Sequence, residues 1–534
     1  MSSATNATNG HRLLIAVSVL ALLVGLVSTG HAYLTRNGFN EDEFFQLAFV
    51  NQPFPDFFLQ FLRLDQHPPF HFLQLVPWSL VSQSDGWMLS NSLLWHGVSC
   101  LTLWAVGRAW LGAPAAWLAV ALYALTPQVI SAATTLRFYA MIPALALAVW
   151  WLNRKLLAAA QPPGWHWWAL LMLQVALAYS HAIAFYFLFW LVLAAGLQQR
   201  LGDVPAASGR WRRWLGWQAV AVLLVLPQVL LTGARGYMAR GTGDAVGGNN
   251  DPGDLVDHFG GMTAGWAMQW PEARWLGAAL FALAVVLGLW RSRSRWVAAL
   301  VLVAPYAVAM VIGAVLTPMF KTPLYSAMLV PFACLCLAGG LLNGRRPAGD
   351  AGLSVSTSTR SADGWLGPTA AALLLVVLAV VVWPASVHLN RSTSPYQALG
   401  DKLKAELQPG DVVVVVKPYL YWAVARYAIG PQWGAPLDVL PAPVGSWANL
   451  IQRLGPERAE QLRLVPRTQE VVHGGVRFII GDDARQASAG AARVWVVERL
   501  QYPAEVRMDP ALVARGLQFD AGVPERTVLR LYTR

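Results

Sequence analysis

The amino-acid sequence predicts a polytopic α-helical membrane protein that ends in a soluble α/β domain. Hydrophobic residues make up 56% of the chain and charged residues only 13%, whereas about a quarter of the residues of a soluble protein are charged. Long apolar runs continue to about residue 387, and from residue 388 onward charges return and the apolar runs shorten to strand length. We therefore expect a transmembrane domain over 1–387 and a soluble domain over 388–534.

The first apolar run, 13–27, is preceded by His11 and Arg12. A cleaved signal peptide is the alternative, but the sequence that follows, Ser-Thr-Gly-His at 28–31, is a poor small-x-small cleavage site. We expect a retained helix that enters the membrane from the cytoplasm.

Further apolar runs predict about eleven spans in total, since a span needs about 20 predominantly apolar residues. They lie at 88–107, 114–132, 138–153, 167–181, 182–198, 215–232, 274–290, 296–317, 324–342 and 366–386. The run 70–82 is shorter and is broken by Pro77, so we expect a juxtamembrane helix on the outer surface there.

The net charge of +11 would indicate nucleic-acid binding in a soluble protein, but here the arginines flank apolar runs. Loops assigned to the cytoplasm carry most of these charges, at Arg154, Lys155, Arg200, Arg210, Arg212, Arg213, Arg291, Arg293, Arg295, Arg345, Arg346 and Arg360. This asymmetry and the odd number of spans put the C-terminal domain outside. Membrane lipids are expected partners, and nucleic acid is not.

The C-terminal domain has the pattern of alternating helices and strands. Helices are predicted at 396–407 and 419–428, and strands at 411–417, 476–480, 493–498 and 527–532. No glycine-rich phosphate loop follows the first strand, so a nucleotide ligand is not predicted.

The cysteines, Cys100, Cys334 and Cys336, all lie inside apolar runs and indicate neither disulfides nor a zinc site.

The outer loop at about 30–87 holds most of the acidic residues of the N-terminal half. Asp42 and Glu43 follow the first span, and Asp65, His67 and the pair Pro68-Pro69 come later in the same loop. Carboxylates at a membrane boundary are costly unless they stay hydrated or have a function. This loop is therefore the first candidate for a functional site.

The arrangement resembles the GT-C glycosyltransferases that use a polyprenyl-phosphate sugar, such as the protein O-mannosyltransferases and the aminoarabinose transferases of lipid A. That family has an Asp-Glu pair after the first helix, as at Asp42-Glu43, and a His-Pro-Pro or Lys-Pro-Pro box at the end of the same loop, as at 67–69. It also has an Arg-aromatic-Tyr box at the outer start of a later helix, which resembles 137–139. The boxes occur in the family's order over roughly the first third of the chain.

The resemblance implies a transferase that moves a sugar from a polyprenyl phosphate to an envelope acceptor, with inversion at the anomeric carbon, on the periplasmic face of a bacterial inner membrane. Asp42 would be the base. Arg137, His67, Lys321 and Tyr325 would bind the donor phosphate. The family often has an Arg-Tyr pair before span ten and a proline six positions after the tyrosine. Tyr325 and Pro331 match these positions, but Leu324 stands at the arginine position; Lys321, one helical turn earlier, could bring its amine to the same place.

Each candidate also has a simpler interpretation. Asp42 could be a solvated loop carboxylate or cap a helix at 43–50, and Glu43 could be a metal ligand, an organiser of the phosphate site or the partner of an arginine. Arg137 could be an ordinary interfacial arginine, and His67 could bond only its own loop. Asp65, Tyr139 and His181 are further candidates, and His181 could be a packing residue.

No cofactor is certain. Asp42, Glu43 and His67 could hold a divalent cation, although carboxylates with one histidine are not diagnostic of a metal.

Two other functions remain open, a lipid or solute transporter with an outer sensing domain and an inactive scaffold. A transporter should place charges or broken helices near the midplane, often in repeated halves, whereas the ionisable residues here cluster at the predicted boundaries. The identities of the sugar and the acceptor are not encoded in any motif.

Overall fold

The computed structural model describes 2–36, 38–50, 68–159, 161–201, 208–238, 271–290, 294–315, 327–342, 366–389, 395–416, 418–430, 455, 457, 469–481, 483–499, 506–520 and 527–534. The chain divides into two compact units. The first, here called the membrane unit, comprises Met1–Thr35, Leu89–Leu231 and Gly247–Arg391. The second comprises Arg36–Met88, Thr232–Val246 and Ser392–Arg534 and is called the outer-loop unit after the predicted outer loop that it contains. The predicted domain boundary after residue 387 stays a prediction.

Helices make up most of the described residues. In the first half of the chain they are α1 (Ser2–Thr35), α2 (Glu41–Val50), α3 (Phe70–Ser79), α4 (Asp85–Leu111), α5 (Ala113–Ala124), α6 (Pro127–Ala133), α7 (Ile142–Ala158), α8 (Gly164–Ala178), α9 (Ala182–Arg200) and α10 (Ser208–Met238). They continue with α11 (Pro271–Trp290), α12 (Ala304–Val315), α13 (Val330–Leu342), α14 (Leu366–Leu389), α15 (Pro395–Glu406), α16 (Pro418–Ala428) and α17 (Arg485–Ser488). Before α12 lie a helical turn, Arg295–Val297, and a π-helical stretch, Ala298–Val303.

Each predicted span overlaps a helix of the membrane unit. Among the described residues, three helices are long and apolar enough to cross a membrane, namely Asn9–Thr35, Ile183–Arg200 and Arg210–Leu230, and a fourth crossing results if a bent pair is counted as one span. A helix, α3, is present where the juxtamembrane helix was predicted, and its position on the outer surface stays a prediction. The number of crossings stays a prediction.

The bent pair consists of α5 and α6, which the sequence predicted as one continuous span. The two helices meet at 69°, and Pro127 opens α6. Proline lacks an N–H group and disfavours helical geometry in the preceding residue, and Thr126 is accordingly extended, with φ −76° and ψ 118°. The break ends α5 early and directs the chain through α6 into residues 134–141.

In the membrane unit, α1 packs against α5 and α14. A Cβ atom placed on Gly25 of α1 would lie 2.6 Å from the backbone oxygen of Ala124 and 2.7 Å from its carbonyl carbon. Small residues that let two backbones approach are typical of helix contacts in membranes, where there is no hydrophobic force between helices. Gly25 is therefore required for the contact between α1 and α5.

The outer-loop unit contains a six-stranded mixed sheet in the order β2-β3-β1-β4-β6-β5. Its strands are β1 (Val412–Val415), β2 (Gln469–His473), β3 (Val476–Ile480), β4 (Arg493–Arg499), β5 (Val513–Asp520) and β6 (Thr527–Thr533). Strand β1 runs parallel to β3 and β4, and the remaining pairs are antiparallel. The predicted helices α15 and α16 and the predicted strands β1, β3, β4 and β6 are confirmed, while β2 and β5 were not predicted.

Asp411 anchors the start of β1. Its carboxylate accepts hydrogen bonds from Trp495 Nε1 on β4 and from the backbone N–H of Gln408, both at 3.0 Å. Because all four residues of β1 are buried valines, the strand itself has no polar side chain to fix its register. Asp411 supplies that polar connection at its entrance.

The contact at Gly25 can be tested with two alanine substitutions in the same helix. Gly25→Ala should lower the melting temperature of the purified protein in detergent, because overpacking against a backbone atom costs about 1–3 kcal/mol. Gly30→Ala is the control, since nothing lies within 4 Å of a Cβ at Gly30, and it should melt like the parent or slightly higher because alanine favours the helix. Equal melting temperatures for the two variants would contradict the close approach of α1 and α5.

Candidate active site

The Asp-Glu pair lies in the first turn of α2. The chain leaves α1 at Thr35 and passes through Gly38, whose φ of 73° is a conformation that glycine adopts without a Cβ clash. Arg36 Nε donates to the Gly38 oxygen at 3.1 Å. The connection between α1 and α2 is thus a short turn held by its own arginine.

Asn40 and Glu43 form a reciprocal cap at the start of α2. The Glu43 N–H donates to Asn40 Oδ1 at 3.0 Å, and the Asn40 N–H donates to Glu43 Oε2 at 2.8 Å, which is the geometry of a capping box. Arg36 Nη2 forms an ion pair with the same Glu43 oxygen. The Glu43 side chain is 0% exposed. Its buried carboxylate accepts the hydrogen bond at the start of the helix and forms the ion pair with Arg36.

Asp42 differs from Glu43 in its surroundings, because its side chain is exposed. The helix begins at Glu41 and Asn40 caps it, which rules out the alternative interpretation in which Asp42 caps a helix over 43–50. Of the alternatives for Glu43, partner of an arginine is the one that the contacts match. Asp42 is the carboxylate of the pair that a substrate can reach.

Tyr427 of α16 bonds the segment that leads into α2, and Arg426 of the same helix bonds Asp85 at the start of α4. The Phe39 N–H donates to Tyr427 Oη at 3.0 Å, and the Tyr427 hydroxyl donates to Asp85 Oδ2 at 2.9 Å. Arg426 donates to Asp85 Oδ1 through Nε at 2.9 Å and Nη2 at 2.5 Å. No local motif marks these residues, and sequence reasoning missed all of them.

Aromatic packing surrounds the same contacts. The ring of Phe44 lies edge-on against Phe39, Tyr396 and Tyr427, with centroid distances of 6.0, 5.8 and 5.7 Å. Burial, followed by the nearby Asp85 carboxylate, raises the pKa of Tyr427 well above its usual value. The phenol therefore stays protonated and keeps donating to Asp85.

The Arg-aromatic-Tyr box lies in the membrane unit, in the break between α6 and α7. Arg137 is buried and precedes the 3-10 turn Phe138–Ala140. Its guanidinium carbon lies 5.3 Å from the centre of the Phe138 ring and 5.9 Å from that of Tyr139, distances at which a cation is attracted to an aromatic face. His181 stacks on Phe138 at 4.1 Å, so Arg137, Tyr139 and His181 form one cluster.

Helix α4 holds this break in place through two serines. Ser92 Oγ donates to the Thr135 oxygen at 2.6 Å, and Ser99 Oγ donates to the Ala140 oxygen at 3.0 Å. Backbone groups outside a helix must find other partners in an apolar environment, and these two carbonyls lie on either side of Arg137. The non-helical box is thereby supported at both ends.

His181 also has a structural function. Its Nδ1 accepts a hydrogen bond from the Ile183 N–H at 3.2 Å and caps α9. This bond supports the packing interpretation of His181, and its stacking on Phe138 brings it beside the box as well.

Asp42 and Glu43 belong to the outer-loop unit, whereas Arg137, Tyr139 and His181 belong to the membrane unit. The other positions of the predicted site lie outside the described residues: Asp65, His67, Lys321, Leu324 and Tyr325. Within the described part of the chain no three His, Cys, Asp or Glu side chains are grouped to hold a metal ion. Glu43 Oε2 is bonded by Asn40 and Arg36, and His67, the third residue of the predicted cation site, lies outside the described residues. A divalent cation at the Asp-Glu pair therefore stays an untested expectation.

Known proteins resemble this chain at the level of fold. No family model and no curated protein matches the sequence. The crystal structure of ArnT from Cupriavidus metallidurans bound to undecaprenyl phosphate matches with a TM-score of 0.55 and 13% identity over 96% of this chain and 97% of that one. The apo form of the same ArnT matches with a TM-score of 0.51 and 14% sequence identity. An apo oligosaccharyltransferase of Archaeoglobus fulgidus matches with a TM-score of 0.47 and 12% sequence identity, over 91% of this chain and 70% of that one. The chain therefore has the fold of ArnT over nearly its whole length, as the resemblance of its boxes predicted.

Proposed function

We propose that this protein is an integral membrane glycosyltransferase that moves a sugar from a polyprenyl phosphate to a cell-envelope acceptor on the periplasmic face of the bacterial inner membrane. The observation that carries the proposal is the fold shared over 96% of the chain with an ArnT that binds undecaprenyl phosphate. The Asp-Glu pair and the Arg-aromatic-Tyr box occur on this fold in the order of the transferases that they resemble. The acceptor is a lipid, a glycan or a protein.

Asp42 is the proposed general base. It is exposed at the second position of α2, where the positive end of the helix dipole stabilises a carboxylate. It removes the proton from the acceptor hydroxyl as the acceptor oxygen bonds to the anomeric carbon and the bond from that carbon to the phosphate oxygen breaks. Attack opposite the leaving phosphate inverts the anomeric configuration.

The leaving polyprenyl phosphate gains negative charge during this step, and Arg137 is the proposed group that stabilises it. A guanidinium offers donors in a planar fork that matches phosphate oxygens, and a preorganised cation contributes where charge develops. The rings of Phe138 and Tyr139 and the two serines of α4 hold Arg137 before the donor arrives. His67, Lys321 and Tyr325 are proposed to complete the phosphate site.

Glu43 is proposed to organise the site without transferring a proton. Its carboxylate joins the Asn40 N–H to Arg36 and keeps the first turn of α2 intact, so Asp42 is presented on a fixed backbone. No step of this mechanism is assigned to a divalent cation.

The proposal requires the Asp-Glu loop and the C-terminal domain on the same outer side. Single cysteines at positions 45, 245 and 450 should react with a membrane-impermeant thiol reagent in intact spheroplasts of a cysteine-free parent. A cysteine at position 293 should react only after permeabilisation, because positive charge marks its loop as cytoplasmic. Protection of position 450 in intact spheroplasts would exclude the proposed site.

Arg137→Ala should lower turnover of an undecaprenyl-phosphate-linked sugar about ten- to a hundredfold, because a hydrogen bond to a charged group is worth about 1.5–3 kcal/mol. Turnover is measured as release of undecaprenyl phosphate. Arg213→Ala is the matched control, since its guanidinium also lies over an aromatic ring, that of Trp167 at 5.0 Å, but in the first turns of α10, a segment assigned to the cytoplasmic side. Parental turnover by Arg137→Ala would remove Arg137 from the phosphate site.

Asp42→Asn should fold, insert and bind the donor while losing most turnover. The amide keeps the size of the carboxylate but cannot take a proton, and a general base contributes typically about 10²–10⁴-fold. Glu43→Gln should be milder, because its amide oxygen can still accept from the Asn40 N–H and from Arg36, which both bond the same oxygen of Glu43. The assignment fails if Asp42→Asn is nearly as active as the parent, as a transporter would allow, or if Glu43→Gln alone is inactive, which would move the base to Glu43.

A further inference from the structure

The outer-loop unit contains a chain of hydrogen bonds that ends at the helix carrying Asp42. It joins segments that are far apart in sequence, since Tyr427 and Phe39 are separated by 388 residues. Asp85 at the start of α4 accepts from both Arg426 and Tyr427. The mechanism proposed above does not use any of these contacts.

The direction of each bond is set by the chemistry of its atoms. The Phe39 N–H can only donate, so Tyr427 Oη accepts from it, and the Tyr427 proton is then given to the Asp85 carboxylate. A hydroxyl can donate one bond and accept others at the same time. Phe39 directly precedes Asn40, the cap of α2. The phenol oxygen therefore fixes the backbone immediately before the turn that carries Asp42.

Arg426 holds the far end of this chain. Its side chain is only 3% exposed, it donates to the backbone oxygen of Gln83 at 2.5 Å as well as to Asp85, and its guanidinium carbon lies 5.2 Å from the centre of the Phe39 ring. Charged hydrogen bonds are about twice as strong as neutral ones. Asp85 is thus kept in the orientation that receives the Tyr427 proton.

Packing leaves Tyr427 little freedom to move away from Phe39. Its ring lies edge-on to Phe44 of α2, and a Cβ atom on Gly400 of α15 would lie 2.2 Å from the Tyr427 Cβ. Helix α15 can approach Tyr427 this closely only because position 400 is glycine. Tyr427 is therefore held by α15 behind it and bonded to the N-terminal side of α2 in front.

We propose that Tyr427, oriented by Asp85 and Arg426, is a positioning residue for Asp42, so that α16 of the C-terminal domain sets the place of the catalytic carboxylate. This inference rests on the proposed function of Asp42 as the base. A base acts only within hydrogen-bond reach of the proton that it removes, and a misplacement of about 1 Å can cost about 10²-fold in rate. The contacts of Tyr427 act on that distance through the backbone of Phe39 and Asn40.

The first test measures amide hydrogen exchange of the full-length protein in detergent, which needs no substrate. Tyr427→Phe should raise the exchange rate of the amides of residues 40–44 about two- to tenfold, the effect of losing one hydrogen bond. Tyr421→Phe is the matched control, because it removes a buried phenol hydroxyl from the same helix while its ring faces Phe478 of β3. It should leave the exchange of 40–44 unchanged.

The second test separates positioning from general loss of structure. With an undecaprenyl-phosphate-linked sugar, Tyr427→Phe should lower kcat about tenfold with the KM of the donor unchanged, because the donor phosphate is assigned to Arg137 in the membrane unit. Arg426→Ala should lower kcat in the same way, and Arg426→Lys should restore part of it by returning a cation to Asp85. Tyr421→Phe should keep the parental kcat.

Each outcome decides a different part of the inference. Unchanged exchange at 40–44 in Tyr427→Phe would overturn the contact as a positioning device, and a parental kcat despite faster exchange would overturn its role in the reaction. A rise in KM alone would place Tyr427 in donor binding instead. If the parent itself releases no undecaprenyl phosphate, the proposed function fails, while the exchange measurement still decides whether α16 fixes the start of α2.

Discussion

The ion pair between Arg36 and Glu43 is the interaction on which the candidate site depends. A buried carboxylate costs several kcal/mol unless it is paired and hydrogen-bonded, and Glu43 obtains both from Arg36 and from the Asn40 N–H. The same bonds start α2 at Glu41. Because successive residues of a helix point in directions about 100° apart, a buried Glu43 leaves its neighbour Asp42 directed elsewhere, and the structure has it exposed. The division of the two carboxylates into one structural and one accessible group thus follows from the cap.

In the membrane unit, the backbone groups between α6 and α7 also need hydrogen-bond partners. Pro127 separates α5 from α6, and after α6 ends at Ala133 the chain does not return to α-helix until Ile142. Carbonyl groups in such a stretch need donors, because lipid supplies none, and Ser92 and Ser99 of α4 provide them on both sides of Arg137. A non-helical stretch is tolerated at membrane depth only where protein or a water-filled cavity surrounds it. The two serines therefore satisfy the backbone on both sides of Arg137 and hold the box outside an α-helix.

Sequence reasoning predicted the elements whose signal is local. Apolar runs predicted the helices of the membrane unit, and the valine-rich stretch 411–417 predicted a buried strand, which the structure has as β1. The edge strands β2 and β5 were missed, because much of β5 is exposed and neither strand has the continuous apolar run of a buried one. The bend at Pro127 carried a local signal, a proline inside an apolar run, that the prediction of one span over 114–132 did not use. The contacts of Tyr427 with Phe39 and Asp85 had no such signal, because they join residues separated by 388 and 342 positions.

These long-range contacts change how the outer loop should be understood. Composition alone places Asp42 in the membrane domain and Tyr427 in the soluble domain, yet the segment Arg36–Met88 forms one compact unit with Ser392–Arg534. Within that unit, the first turn of α2 can form its own cap from Asn40 and Glu43 as soon as it is synthesised, since both residues are local. Its bond to Tyr427 must wait until α16 has been made. The local cap therefore determines that α2 begins at Glu41, and the late contact determines where that beginning is held. The position of the Asp42 carboxylate thus depends on the local cap and on the distant Tyr427. An Asp-Glu motif by itself does not predict the second of these contacts, because Tyr427 lies outside it.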